Sequence, residues 1–131
     1  FRMRCLLLLL AAFFCLAEAK MQNVTVKGTT ICHKRRQAGV LVQLWEHDTF
    51  DPNDLLQEVR SDSEGNFEVT GGEDEVGAIE PFIRITHNCD AKDGCMRVAD
   101  YEIPKAKIDS TYDMTYVPMN IAVTGETTKC N

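Results

Sequence analysis

The sequence predicts an all-β fold in which two sheets pack face to face as a sandwich. Short segments rich in β-branched and aromatic residues recur about every ten to fifteen residues, and clusters of Gly, Pro, Asn and Asp separate them. Within most segments, apolar and polar side chains alternate, which is typical of a strand with one buried face. Seven or eight strands of this kind, each with one apolar face, form two packed sheets.

The alternation sets the approximate limits of the predicted strands. Val40, Val42 and Leu44 fall on one face of the second strand, and Phe67 pairs with Val69 in the third. In chain order, the predicted strands cover residues 23–32, 39–47, 66–71, 81–88, 96–103 and 112–117, with a continuation through Pro118 into 119–123.

One segment departs from this pattern and predicts a single helical turn over residues 51–56. Asp51 can cap its N-terminus, Pro52 stands at the first helical position, and Asp54 places an acid in the first turn. We therefore expect a short helix between two strands.

Residues 62–66 have the composition of a hairpin turn. Gly65 can adopt a positive φ, and Asp62 can accept hydrogen bonds from the backbone two residues further on. The segment contains only part of the pattern of an EF-hand calcium loop. The sequence therefore predicts a turn there, without a metal site.

The N-terminal segment has the three parts of a secretory signal peptide. An apolar run over residues 5–16 follows Arg2 and Arg4 and precedes small residues at Ala17 and Ala19. The run is too short to span a bilayer as a helix. We expect cleavage after Ala19 and secretion of the remainder.

Residues 1–19 are thus the predicted signal peptide, and residues 20–131 are the predicted domain. The 112 residues of this domain suffice for one core and are too few for two. Loss of Arg2, Arg4 and Glu18 changes the net charge from −6 to −7. Such an acidic domain is a poor nucleic-acid binder, and no second apolar stretch is long enough to span a membrane. We expect an extracellular protein, free or peripheral at the cell surface, without a transmembrane segment.

The domain contains four cysteines, Cys32, Cys89, Cys95 and Cys130. In an oxidising compartment, four cysteines form two disulfides, and three pairings are open. We expect Cys89 to pair with Cys95, because the five residues between them are rich in turn formers. Cys32 would then pair with Cys130 and tie together the two ends of the domain.

Zinc is the alternative for two of these cysteines, since His33 adjoins Cys32 and His87 lies near Cys89. Neither pair has the usual spacing of zinc ligands, so we predict no metal and no cofactor. His87 falls on the same face as the apolar residues of its strand, which predicts a buried, hydrogen-bonded histidine. His47 ends a strand beside acidic residues.

Lys34, Arg35 and Arg36 form the main candidate binding site. Three adjacent cations at a turn concentrate positive potential and favour contact with anionic lipid headgroups or acidic glycans. A dibasic processing site in the secretory pathway and an ordinary solvated turn are the alternatives.

Two further segments predict features of the protein surface. Residues 73–75, with Glu80, predict an acidic loop, which would act as a charged cover that discourages pairing between sheet edges or as a contact for a cationic partner. Asn23 begins a glycosylation sequon near the predicted mature N-terminus. The sequon stays unoccupied if Asn23 is drawn into the first strand.

Six motifs, spread in order across the predicted domain, match one known family. They cover residues 24–32, 40–56, 61–67, 85–89, 101–104 and 125–130. Together with the four cysteines, they resemble the nematode transthyretin-like family of secreted β-sandwich proteins. The resemblance implies a transthyretin-like sandwich with an extracellular or cell-surface role, and it implies no known ligand. Relatives usually have Gly-Lys-Pro after the first strand, where this chain has residues 33–37.

The same resemblance bears on catalysis. The hydrolase branch of this fold carries a C-terminal Tyr-Arg-Gly-Ser motif and paired histidines with an arginine, whereas this chain ends in residues 127–131, Thr-Thr-Lys-Cys-Asn. We therefore predict a secreted, non-enzymatic binding or signalling module whose partner is an extracellular protein or an anionic lipid or glycan. An oligomeric carrier of a small apolar ligand is the alternative, and a hydrolase of the hydroxyisourate type is less favoured.

Overall fold

A computed structural model describes residues 20–131, so the predicted signal peptide lies outside the described residues. Within them, nine strands form two sheets. The strands are β1 (Lys20–Cys32), β2 (Arg35–Arg36), β3 (Leu41–Glu46), β4 (Asp54–Arg60), β5 (Asn66–Glu75), β6 (Pro81–His87), β7 (Cys95–Glu102), β8 (Thr111–Pro118) and β9 (Thr127–Cys130).

The two sheets pack as the predicted sandwich. In the first sheet, β1 is central and pairs antiparallel with β5, parallel with β8 and, at its end, with β2. The second sheet has the order β4-β3-β6-β7-β9, and all of its pairs are antiparallel. The all-β prediction is confirmed.

The core lies between the sheets and consists mainly of aliphatic side chains. Alternation along β1 and β3 turns every second residue inward, as the sequence pattern predicts. Burial of each large aliphatic side chain contributes about 1.5–3 kcal/mol of transfer free energy. The inward side chains include Val24, Val26, Val42, Leu44, Val69, Ile83 and Ile85.

The predicted helical turn over residues 51–56 is wrong, because Asp54 begins strand β4 and pairs with Glu46 at the end of β3. Pairing with β3 gives the backbone regular hydrogen bonds, whereas one isolated helical turn is costly to nucleate. The cap signals belong to a loop instead, in which Asp48 Oδ1 accepts hydrogen bonds from Phe50 N and Asp51 N. A 3-10 turn occurs at Lys105–Lys107.

The end of the chain also departs from the prediction. Residues 119–123 form turns rather than a strand, although Met119 is fully buried and donates a backbone hydrogen bond to Ile31 O. The last strand, β9, comes later and is polar and exposed throughout. Its pairing with β7 therefore depends on backbone hydrogen bonds. Such bonds do not require alternating apolar and polar side chains, so the sequence carries no pattern that predicts this strand.

The predicted turn over residues 62–66 is confirmed, but it is not a hairpin, because it joins β4 of the second sheet to β5 of the first and these strands do not pair. Asp62 Oδ1 accepts hydrogen bonds from Glu64 N and Asn66 N, at 2.9 and 2.8 Å. Gly65 has a φ of +80°, and a Cβ added there would lie 2.8 Å from Thr30 O in β1. The turn thus needs glycine both for its backbone conformation and for its close approach to β1.

We expect Gly65→Ala to lower the free energy of unfolding by about 2–4 kcal/mol, because it adds a clash to the cost of a positive φ. Gly39→Ala is the matched control, since Gly39 has a φ of +73° and open space around its Cα. It should cost about 1 kcal/mol. Urea denaturation measures both values, and equal losses would contradict the proposed clash.

Candidate functional site

The structure pairs Cys32 with Cys89 and Cys95 with Cys130, so the predicted pairing of Cys89 with Cys95 and of Cys32 with Cys130 is wrong. Cys32 ends β1 in the first sheet, and Cys89 follows β6 in the second, with 5.9 Å between their Cα atoms. Cys95 and Cys130 are cross-strand partners in β7 and β9. Because β9 returns along β7, Cys130 lies opposite Cys95 and bonds to it. The sequence pattern does not predict β9, and the predicted disulfide pairing is wrong for that reason.

The inter-sheet disulfide lies at the base of a short hairpin that contains the three predicted binding cations. Strands β1 and β2 are joined by a two-residue turn, His33-Lys34, with φ values of +50° and +69°. Positive φ at both central residues is the geometry of a type I′ turn, which suits the twist of a two-stranded hairpin. We call residues 33–36 the basic hairpin.

Several contacts fix the basic hairpin to the sandwich. His33 Nε2 lies 2.8 Å from Asp90 Oδ1, and His33 N donates a hydrogen bond to Asn120 Oδ1 at 3.0 Å. On the other strand, Arg36 Nη1 donates to Glu64 O at 3.3 Å. The hairpin is therefore tied to three different loops as well as to the disulfide.

Lys34, Arg35 and Arg36 are all exposed, as the sequence predicts. Among residues 20–131, none of the ion pairs includes any of the three. Their charges are thus available to an anionic partner. The side-chain contact between the hairpin and Asp90 uses His33 instead.

An open cavity of about 320 Å³ adjoins the basic hairpin. Its walls include Ile31, Pro118 and Ile121, and Ile121 is 60% exposed. Lys34 also lines it, which places a cation beside an apolar surface. No sequence pattern indicates this cavity, since its residues come from two distant segments.

The residues weighed as zinc ligands do meet in space. Ligand atoms of Cys32, His33, Cys89 and Asp90 lie within 4.8 Å of one another. However, the two cysteine sulfurs are bonded to each other, and zinc binds thiolates. The arrangement therefore presents a disulfide and a His-Asp pair.

A group of acidic side chains lies at the opposite end of the sandwich. Lys20 at the start of β1 pairs with Glu75, whereas Cys32 at the other end of β1 carries the hairpin. Residues 73–75 belong to strand β5 and not to a loop, and Glu80 lies 3.9 Å from Lys105. We define the acidic cluster as Glu46, Asp48, Asp54, Glu73 and Glu75.

Carboxylates in the acidic cluster raise one another's pKa values. Burial is the main cause that raises the pKa of Glu46 above its usual value. A hydrogen bond to Asp54, followed by burial and neighbouring negative charge, raises the pKa of Glu73 to about 7. Ionisation of Glu46 and Glu73 is therefore disfavoured at this place.

A second open cavity, of about 750 Å³, lies near the acidic end and is lined by His47, Phe82 and Arg84 among others. Arg84 forms two hydrogen bonds with Asp100, at 2.8 and 3.0 Å, and lies over the rings of Trp45 and Phe82. The guanidinium of Arg84 thus already has partners within the protein.

The three histidines occupy different environments. His47 is exposed at the end of β3, and His33 belongs to the basic hairpin. His87 is 2% exposed, and its Nδ1 accepts a hydrogen bond from Cys89 N at 3.1 Å. The predicted structural role of His87 is confirmed. Burial, and then the charge of Arg97, lower the pKa of His87, while Glu126 and Asp90 oppose that shift.

Asn23 lies within β1 and pairs with Gly72 of β5, although it is exposed. Its backbone N donates to Asp109 Oδ1 at 3.0 Å. The sequon is therefore part of the first sheet. A position within a strand would hinder glycosylation of Asn23. Its glycosylation stays a prediction.

Within residues 20–131, no helix has the length and hydropathy needed to cross a membrane.

The two packed sheets, with one disulfide between them and one within the second, define a disulfide-linked β-sandwich domain. The model of the transthyretin-like family matches residues 27–104. Transthyretin-like protein 16 of Caenorhabditis elegans is 52% identical over 96% of this chain and 95% of its own length. Transthyretin-like protein 46 of the same organism is 37% identical over 79% of this chain and 59% of its length. The chain belongs to the transthyretin-like family, as the resemblance in its motifs predicts.

Among solved structures, a 9R-lipoxygenase from Cyanothece matches 86% of this chain and 20% of its own chain, at 16% identity and a TM-score of 0.47. That likeness is too low to bear on function.

We expect His87 to make the protein less stable in mild acid. Because the pKa of His87 is lower in the folded state than its ordinary value of 6.5, its contribution is present above pH 6.5 and is lost as the pH falls through the folded pKa. In His87→Asn, an amide oxygen can still accept the Cys89 N–H bond, and no proton is taken up. The loss of Tm below pH 6.5 should therefore be smaller than in the wild type.

His47→Asn is the control for this prediction, because His47 is exposed. Thermal unfolding followed by circular dichroism at a series of pH values measures the effect. If His47→Asn and His87→Asn change the pH profile equally, burial of His87 is not the cause.

Proposed function

We propose that this protein is a secreted, non-enzymatic binding module that contacts anionic surfaces through the basic hairpin. The observation that carries the proposal is the presentation of three exposed cations, Lys34, Arg35 and Arg36, none of which has an ion-pair partner among residues 20–131. Neither relative named above has an enzymatic activity in its name.

The basic hairpin is fixed at its base, which favours binding of a partner. The Cys32–Cys89 disulfide and the His33–Asp90 contact hold the turn in one position, so little conformational entropy is lost when a partner binds. A flexible loop with the same three charges would lose more. The geometry is therefore that of a preorganised contact.

The chemistry that fits the hairpin is a cluster of phosphate, sulfate or carboxylate groups. Arginine forms paired hydrogen bonds with such groups, and lysine adds a mobile point charge. The apolar cavity beside Lys34 offers a place for hydrocarbon next to a headgroup. Lipid headgroups and acidic glycans share the anionic chemistry, and only lipid would use the cavity.

Secretion is part of the same proposal. Two disulfides suit an oxidising compartment, and the N-terminal sequence has the parts of a signal peptide. The net charge of −7 predicted for residues 20–131 makes the basic hairpin a local positive region on an acidic protein. Contact is then governed by the charges nearest the partner, since screening limits electrostatics to about 8 Å at physiological salt.

The proposal predicts that the Lys34→Ala, Arg35→Ala, Arg36→Ala triple variant loses binding to anionic partners. Each cation near an anionic membrane contributes about 1 kcal/mol, so affinity should fall by about two orders of magnitude. Cosedimentation with phosphatidylcholine vesicles, with and without an anionic phospholipid, measures the lipid arm. Retention on a heparin column measures the glycan arm, and both signals should decrease with salt.

A second triple variant, Lys27→Ala, Lys105→Ala, Lys107→Ala, removes the same charge from exposed positions away from the hairpin. It should bind almost as the unchanged protein does. Equal losses in both variants would mean that net charge decides, and unchanged binding in the hairpin variant would overturn the proposal. The intact mass of the secreted protein separately tests the processing alternative, because cleavage within the hairpin adds the mass of one water.

A further inference from the structure

The acidic cluster joins the two sheets at the end opposite to the basic hairpin. Glu46 ends β3, and Asp54, its cross-strand partner, begins β4 in the same sheet. Glu73 and Glu75 lie near the end of β5 in the other sheet. Asp48 comes from the loop that connects β3 with β4. Three strands and one loop thus direct carboxylates to one place.

These carboxylates lie close enough together to bind one ion. One oxygen from each of Glu46, Asp54 and Glu73 lies within 4.8 Å of the others, and the same is true of Glu46, Asp48 and Glu75. Glu46 belongs to both groups and therefore stands at the centre. Oxygens around one calcium ion lie 2.3–2.6 Å from it, so two of them can be at most about 5 Å apart.

Glu46 is the observation that separates this cluster from an ordinary acidic surface. The residue is 3% exposed, and its Oε2 has no hydrogen-bond partner. Its Oε1 has one long contact, 3.5 Å from Glu80 N. A buried carboxylate oxygen without a partner is costly, and proteins usually give it a hydrogen bond, an opposite charge or a metal. Oε2 of Glu73 is buried and without a partner as well.

Among residues 20–131, no cationic side chain forms an ion pair that would compensate this charge. No ion pair within residues 20–131 includes a member of the acidic cluster. The groups that act on Glu46 and Glu73 through their charges are the other acids of the cluster. Lys20 pairs with Glu75 through the backbone and is exposed, and His47, beside Glu46, is exposed too. A bound cation would supply the missing positive charge.

We propose that the acidic cluster binds a calcium ion, with Glu46, Asp54 and Glu73 as the central ligands and Asp48 and Glu75 as the outer ones. A set made only of carboxylates suits a hard cation better than zinc, whose protein sites usually include nitrogen or sulfur ligands. Calcium accepts irregular sets of six to eight oxygens, whereas magnesium requires a near-ideal octahedron. Ligands from separate strands and a loop match the calcium requirement.

The bound ion would hold the acidic end together as the disulfide holds the other end. It would link β5 of one sheet to β3 and β4 of the other and would relieve the repulsion among five acids. This site does not depend on the proposed role of the basic hairpin, and either proposal can fail without the other.

Calorimetric titration of CaCl₂ into the metal-free protein with both disulfides intact tests the site directly. We expect a Kd on the order of 10⁻⁴ M and weaker binding of MgCl₂, as in other extracellular calcium modules. At saturating calcium, Tm should rise by about 5 °C or more relative to a chelator. No binding heat together with an unchanged Tm would overturn the proposal and leave a shared proton as the means by which Glu73 and Asp54 coexist.

Glu73→Gln should weaken calcium binding at least about tenfold and abolish the rise in Tm. Asp74→Asn is the matched control, because Asp74 lies between two cluster residues and is exposed. It should retain both signals. If Asp74→Asn loses as much affinity as Glu73→Gln, the binding is general charge attraction and the assigned ligands are wrong. Should Glu73→Gln fail to fold, Asp54→Asn is the second variant, with the same expected loss.

Discussion

The disulfide between Cys32 and Cys89 is the connection on which the arrangement of this molecule depends. It crosses from the first sheet to the second at the end of β1, where the chain turns into the basic hairpin. The link closes 57 residues of chain, and constraint of the unfolded state by such a loop contributes about 4 kcal/mol. Without it, the two sheets would be joined at this end by packing, loops and polar contacts such as that of His33 with Asp90.

The surroundings of Cys89 reinforce that link. Cys89 N donates to buried His87, and Cys89 O accepts a hydrogen bond from Arg97 Nη1 at 2.7 Å. Arg97 also pairs with Glu126, and both side chains are nearly buried. This ion pair lowers the pKa of Glu126 and connects β7 to the segment before β9. Both disulfides and the tail are therefore part of one network at the hairpin end.

The opposite end is organised differently. Its strands bring acids together without a covalent bridge, and Glu46 is buried among them. A molecule with a fixed cationic hairpin at one end and a carboxylate-lined end at the other is electrostatically polarised. The two proposals assign a different class of partner to each end, anions to the hairpin and a cation to the acidic cluster.

Sequence alone predicted the features that leave a pattern in consecutive residues. Alternation identified the buried strands, and the Asp62 and Gly65 turn followed from the chemistry of those two residues. Strand β4 was missed because it is an edge strand without clean alternation, preceded by helix-capping residues. The polar β9 was missed for a similar reason, and the disulfide error followed from it.

The sites were less predictable than the fold. The three adjacent cations of the hairpin are visible in the sequence, but their type I′ turn is not, since His33 and Lys34 are unusual residues at positive φ. The acidic cluster combines residues from two segments that meet only when the sheets pack. No spacing rule connects Glu46 with Glu73, so its existence depends on tertiary structure.

Disulfide mapping tests the central claim most directly. Trypsin cuts after Lys and Arg and places the four cysteines in separate peptides, residues 28–34, 85–92, 93–97 and 130–131. In the unreduced protein, mass spectrometry should find 28–34 joined to 85–92, and 93–97 joined to 130–131. Peptide 85–92 joined to 93–97 instead would contradict the inter-sheet link and the anchoring of the basic hairpin.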